Sequence, residues 1–118
     1  MYKKILLPTD GSKNSEKSIV HALHIADKDD SEIIILNVVD SVYLTGLPEE
    51  DLITKSELLL EEESKKVTKR FEDIIKQIEE EEGIDATNIK ITPKTLEGNA
   101  ADIILKVSDK ENVDIIVI

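Results

Sequence analysis

The chain has 118 residues, about the length of one domain, with a net charge of −11 and no cysteine. The lack of cysteine excludes a disulfide framework, a thiol nucleophile and a cysteine-rich zinc site, and it suits a reducing compartment such as the cytoplasm. The excess of 26 acidic over 15 basic residues disfavours DNA and RNA as partners, because clustered lysine and arginine bind phosphate backbones. The apolar runs are too short for a signal peptide or a membrane span, so we expect a soluble cytoplasmic protein without a membrane partner.

The first strand and helix follow from the opening residues. Residues 3–7 form a short apolar run before Pro8, and Thr9-Asp10-Gly11-Ser12 is a cluster of turn and capping residues. Apolar residues then recur at spacings of three and four, which predicts a helix over residues 15–27 with a single apolar face. That face consists of Ile19, Ala22, Leu23 and Ala26.

The second strand and a long helix come next. Residues 32–39 are nearly all apolar and β-branched, as in a strand covered on both faces. A loop with Gly46 and Pro48 leads to a predicted helix over residues 50–82, which Gly83 ends. Its acidic runs, residues 61–63 and 79–82, indicate a solvated face. Its apolar stripe consists of Val67, Phe71, Ile74, Ile75 and Ile78.

The last third predicts a strand over residues 88–92, a helix opened by Leu96-Glu97-Gly98-Asn99, and a fourth strand over residues 113–118. The inward face of that helix would carry Ala100, Ile103, Ile104 and Val107. Strands alternating with helical crossovers predict an α/β fold with a doubly wound parallel sheet in one domain, residues 1–118. Because no turn or cap follows Ile118, we expect the chain to stop inside its fourth strand.

Several segments resemble the universal stress protein family. Residues 3–12, with the sequence Lys-Lys-Ile-Leu-Leu-Pro-Thr-Asp-Gly-Ser, look like that family's first strand and loop. Residues 36–40 resemble its second strand, and Glu97-Gly98 followed by residues 114–118 resembles its third helix and fourth strand. The likeness spans all 118 residues, and the Pro-Thr-Asp-Gly-Ser loop is its most distinctive part.

The resemblance implies a Rossmann-like, adenine nucleotide alpha hydrolase-like fold. Its strand order would be 3-2-1-4, with the family's fifth strand, last helix and glycine-rich phosphate loop absent from this chain. It also implies that the family's complete members bind ATP at the strand-order reversal, with Mg²⁺ or Mn²⁺ only as a companion of ATP. Pairing through the fifth strand is typical of the family, so a homodimer is expected, by a rearranged contact in this chain.

By the same resemblance, Pro8, Thr9 and Asp10 would line an adenosine pocket, and Val38 would offer backbone contacts to adenine. An ionised aspartate can accept hydrogen bonds from two ribose hydroxyls at once, although capping of the next helix is the alternative role for Asp10. Gly98 could allow close approach of a phosphate, or could simply begin the third helix. The retained residues would bind nucleotide weakly at best.

Other residue patterns carry less chemistry. His21 and His24 are three residues apart but lack further metal ligands, so structural or surface roles are favoured. Ser12, Ser15 and Ser18 have no partner at a triad spacing, and Asp10 lacks the acidic cluster of a receiver domain. We therefore expect no catalytic site.

Two functions remain open from the sequence. The first is a regulatory, adenine-nucleotide-binding protein of the stress response. The second is a nucleotide-independent dimerisation or protein-interaction module of the same family, with the long second helix as its contact surface.

Overall fold

The computed structural model describes residues 3–9, 13–39 and 52–118, and there the chain alternates strands and helices as predicted. The loop of residues 40–51, with Gly46 and Pro48, lies outside the described residues. In chain order the elements are β1 (Lys4–Thr9), α1 (Lys13–Asp29), β2 (Glu32–Val39), α2 (Leu52–Glu82), a short 3-10 helix (Ala86–Asn88), β3 (Ile91–Glu97), α3 (Ala100–Lys110) and β4 (Ile115–Ile116).

All four strands are parallel and form one sheet in the order β3-β2-β1-β4. From β1 the chain steps to β2 and then to β3 in one direction, and its next crossover carries it back to the other side of β1. The predicted fold class and strand order are therefore confirmed. The order reverses between β1 and β4, which places the reversal at the middle of the sheet.

Helices cover both faces of the sheet, and the alternation along each strand decides which side chains meet them. Odd-numbered strand residues such as Ile5 and Ile35 pack with α1 and α2, whereas even-numbered residues such as Leu6 and Ile34 pack with α3. The predicted apolar faces of α1 and α2 both lie in the first of these clusters. On α3, Ile103, Ile104 and Val107 face the sheet as predicted, but Ala100 is exposed.

The predicted position of β3 is wrong. Residues 86–88 form the 3-10 helix, and β3 continues to Glu97, so Leu96 and Glu97 belong to the strand and not to the entry of α3. Pro93 lies inside β3 without breaking it. In this edge strand the backbone groups of the odd-numbered residues point away from β2, so the missing N–H of Pro93 removes no hydrogen bond of the sheet. The even-numbered residues hold the bonds to β2, since Ile33 N donates to Lys90 O and Gly98 N to Val39 O.

Several polar contacts fix the ends of the elements. Gly83, with φ of +68°, ends α2 as predicted, and its N–H donates to Glu79 O. At the end of α3, Glu111 accepts from Lys94 of β3, with 2.6 Å between Nζ and Oε1. Among the described residues no helix is both long and apolar enough to cross a membrane.

Candidate functional site

Four of the five residues predicted to contact a nucleotide lie at the carboxyl edge of the sheet. Pro8 and Thr9 end β1, Val38 lies one residue before the end of β2, and Gly98 directly follows β3. Gly98 is held beside the end of β2, because its N–H donates to Val39 O at 2.9 Å. Asp10, the fifth residue, lies outside the described residues. Ligands of doubly wound sheets bind at this edge, beside the reversal of strand order.

Pro8 removes a backbone donor beside the reversal of strand order. In β1 the backbone N–H and C=O groups of the even-numbered residues point towards β4, since Lys4 O and Leu6 O accept from Asp114 N and Val117 N. The N–H and C=O groups of one residue point to the same neighbouring strand, so the next donor towards β4 would be residue 8. Proline has no N–H, and the register between β1 and β4 ends at Leu6 and Ile116. The β1–β4 ladder therefore lacks a donor where the crevice is expected.

A row of polar side chains crosses three strands at this edge. Thr9 pairs in register with Asn37 of β2, and Asn37 with Thr95 of β3. Thr9 is 7% exposed and Asn37 is 6% exposed. Among the described residues the buried Nδ2 group of Asn37 has no hydrogen-bond acceptor, which is unusual for a buried donor.

Sequence reasoning did not single out Asn37. A signal was present, because Asn37 is the one polar residue within the apolar run of residues 33–39. In a strand covered on both faces, a buried polar residue needs either a hydrogen-bond partner or a reason for lacking one. Its position beside Thr9 makes Asn37 part of the candidate site.

Gly98 is required by local packing. Its φ of +146° is rarely adopted by residues with a side chain, and a Cβ there would lie 2.9 Å from Cγ1 of Ile103. The next residue, Asn99, caps α3 by accepting a hydrogen bond from the N–H of Asp102. The structure thus supplies a full structural reason for Gly98, and its contact with a phosphate stays a prediction.

The remaining candidate side chains lie apart from this edge or outside the described residues. His21 and His24 are both exposed on α1, and His24 Nε2 lies 3.6 Å from Glu82 Oε2 at the end of α2. Ser18 is buried in α1, and Ser12 is not among the described residues. Within residues 3–9, 13–39 and 52–118, no group of three histidine or acidic side chains is placed to hold a metal ion.

The opposite, amino edge of the sheet holds two of the acids with shifted pKa values. Asp114 Oδ2 accepts from the backbone N–H groups of Lys4 and Lys3 at 2.9 and 2.8 Å, and these bonds lower the pKa of its carboxyl. The hydrogen bond and charge of Lys94 likewise lower the pKa of Glu111. Both acids tie neighbouring elements together, so this edge serves stability.

Comparisons with known proteins agree with the fold. The universal stress protein MJ0531 of Methanocaldococcus jannaschii is 37% identical over 117 residues, which are 99% of this chain and 64% of that protein. The chain thus spans just under two thirds of the length of this relative. The solved structure of the protein MJ0577 is 28% identical with a TM-score of 0.72, and the match covers all of this chain and 74% of that one.

A further solved structure, of a universal stress protein in complex with cAMP, has a TM-score of 0.70 at 19% identity. That match covers 99% of this chain and 75% of the other, and at this identity it concerns the fold. The family model described as "Universal stress protein family" matches residues 1–118. The chain therefore belongs to the universal stress protein family.

Proposed function

We propose that this protein binds an adenine nucleotide, with ATP as the first candidate, at the carboxyl edge of the sheet between β1 and β4, and that it serves the stress response as a regulatory protein. The observation that carries the proposal is the reversal of strand order beside Pro8. The β1–β4 ladder ends there, two predicted contact residues end β1, and Val38 lies on the adjoining strand.

The chemistry of this edge suits a nucleoside. Pro8 is half-buried and would offer apolar surface to the base, Val38 would offer backbone contacts to adenine, and Asp10 would accept hydrogen bonds from the ribose hydroxyls. The cAMP complex of a protein with the same fold supports an adenine nucleotide as the ligand class. In this proposal Gly98 adjoins the phosphates, and Mg²⁺ or Mn²⁺ enters only together with ATP.

Titration calorimetry with ATP, cAMP and GTP in the presence of Mg²⁺ tests the proposal. We expect heat from the adenine nucleotides and a matching rise in melting temperature, because a ligand at ten times its Kd stabilises the folded state by about 1.4 kcal/mol. Asp10→Ala should abolish both signals, whereas Asp27→Ala, at an exposed position of α1, should leave them unchanged. No heat at millimolar ATP and cAMP would refute nucleotide binding.

The second candidate function is a nucleotide-independent dimerisation or interaction module. The observation in its favour is a set of exposed large apolar side chains, since Leu58 and Leu59 lie on α2 and Leu105 on α3 is 67% exposed. In the described sheet, β4 also forms an edge and pairs only with β1. Sedimentation equilibrium tests this candidate, and a monomer at every concentration would contradict it.

A further inference from the structure

A concave site lies on the flank of the molecule between α2 and β3. We call it the flank cleft and define it by its apolar floor of Ile35, Phe71, Ile75, Ala86, Ile91 and Pro93. The cleft encloses about 380 Å³. Sites for small ligands occupy about 300–1,000 Å³ and are lined mainly by apolar and aromatic side chains. Size and floor both fit a small organic molecule.

The flank cleft is separate from the carboxyl edge. Ile35 and Pro93 pair in register, two residues before Asn37 and Thr95 on the same strands. Along α2 the lining runs from Thr68 to Glu79, which is about 16 Å of helix. The cleft therefore lies alongside the sheet edge formed by β3 and does not adjoin the strand-order reversal.

The charged groups of the cleft all belong to α2. They are Glu72, Lys76 and Glu79, whereas the bank formed by the 3-10 helix and β3 contributes no ionisable side chain to the lining. Glu79 is half-buried, and its Oε2 accepts from Ala86 N at 3.2 Å. Among the described residues neither Glu72 nor Lys76 has an ion-pair partner. One carboxylate is thus held in place at the wall of the cleft.

On α2 the positions of Glu79 and Glu72 are closer to the apolar floor of the cleft than the position of Lys76 is. Seen down the axis of α2, Glu79 and Glu72 lie about 80° and 100° round the helix from Phe71. Lys76 lies about 140° round, at the outer lip. The net charge of −11 also favours the approach of cations over that of anions. The charge next to the apolar floor is therefore negative.

We propose that the flank cleft binds a small organic cation. Its ammonium group pairs with Glu79, within the field of Glu72, and its apolar body lies on Phe71 and Ile75. The hydrogen bond from Ala86 N orients the Glu79 carboxylate before the ligand arrives, which reduces the ordering that binding requires. Lys76 at the lip disfavours a second positive charge on the ligand.

Three ligands of nearly equal shape test the sign of the charge. Phenylbutylammonium, phenylbutanol and phenylbutyrate share the apolar body and carry a positive, a neutral and a negative head. Titrations followed by ¹⁵N–¹H NMR should move the amide signals of Phe71, Ile75 and Ile91. We expect the ammonium to bind about ten-fold more tightly than the alcohol, as for one hydrogen bond to a charged group. The carboxylate should bind more weakly than the alcohol.

Matched variants assign the effect to the cleft. Glu79→Gln keeps an acceptor for Ala86 N and should reduce the ammonium affinity to that of the alcohol, and Glu72→Gln should reduce it less. Glu80→Gln makes the same change of charge on an exposed neighbour that does not line the cleft, and it should alter the affinity less than two-fold. Ile75→Trp should fill the cleft and abolish binding of the ammonium and of the alcohol.

Three results would overturn the proposal. They are no binding of the ammonium at millimolar concentration, equal or tighter binding of the alcohol or the carboxylate, and an equal loss in the Glu79→Gln and Glu80→Gln variants. The last of these would mean general attraction of cations to an acidic surface. None depends on ATP binding, so this site and the nucleotide proposal can fail separately.

Discussion

Replacing Asn37 with leucine should stabilise the protein, although the change removes a polar residue beside the candidate site. The Nδ2 group of Asn37 is buried, and the part of the chain that the structure describes offers it no acceptor; an unmet buried donor costs about 1–3 kcal/mol. Leucine has the same number of side-chain heavy atoms and the same branch at Cγ, and it would bury apolar atoms between Thr9 and Thr95. We therefore expect Asn37→Leu to raise the free energy of unfolding by about 1–3 kcal/mol.

Urea unfolding followed by circular dichroism measures this change. The midpoint should rise without a change in slope, which would show that the folded state itself was stabilised. A gain of 1 kcal/mol corresponds to roughly 4 °C in melting temperature for a domain of this size. Asn88→Leu, at an exposed position, is the control and should change stability by less than about 0.5 kcal/mol. A loss of stability in Asn37→Leu would refute the reasoning, because Nδ2 would then have a partner in solution.

Three further predictions concern packing and pH. Gly98→Ala should destabilise the protein by about 1–3 kcal/mol in urea unfolding, because its φ is positive and the added methyl would meet Ile103; an unchanged midpoint would contradict the strain. Ile34→Ala should cost about 2–5 kcal/mol, against under about 0.5 kcal/mol for Leu105→Ala, which is 67% exposed. The pKa of Asp114 is lowered by folding, so its stabilising effect is present above its unfolded pKa of about 3.8 and is lost as the pH falls through the folded value. Melting temperatures from pH 7 to pH 3 should therefore fall less steeply in Asp114→Asn than in the parent protein, and parallel curves would refute the linkage.

The buried parts of the fold could be predicted from the sequence because their periodicity follows directly from burial. Helix α1 is apolar on the face that meets the sheet, with Ile19, Leu23 and Ala26, and β2 is apolar over residues 33–36 because helices cover both of its faces. The edge strand β3 could not be placed in this way. A proline within a run is typical of a strand end, and only the pairing of β3 on one side makes Pro93 harmless.

The candidate site was harder to predict from the sequence than the fold, because it depends on which strands become neighbours. Asn37 is an ordinary polar residue in the sequence, and only the pairing of β2 with β1 and β3 shows that its Nδ2 group lacks an acceptor among the described residues. A nucleotide site at the carboxyl edge was expected from the family resemblance, but the pairing that creates the reversal is a property of the folded sheet.

Pro8 shows most clearly why a local pattern was insufficient. Its position predicted the end of β1 near residue 7, yet β1 continues to Thr9. The backbone groups of the odd-numbered residues of β1 point towards β2, since Lys3 O accepts from Glu32 N. A proline at residue 8 therefore leaves the β1–β2 ladder intact. The missing donor affects only the β4 side. Pro8 therefore offers no donor to β4, and it lies where the strand order reverses.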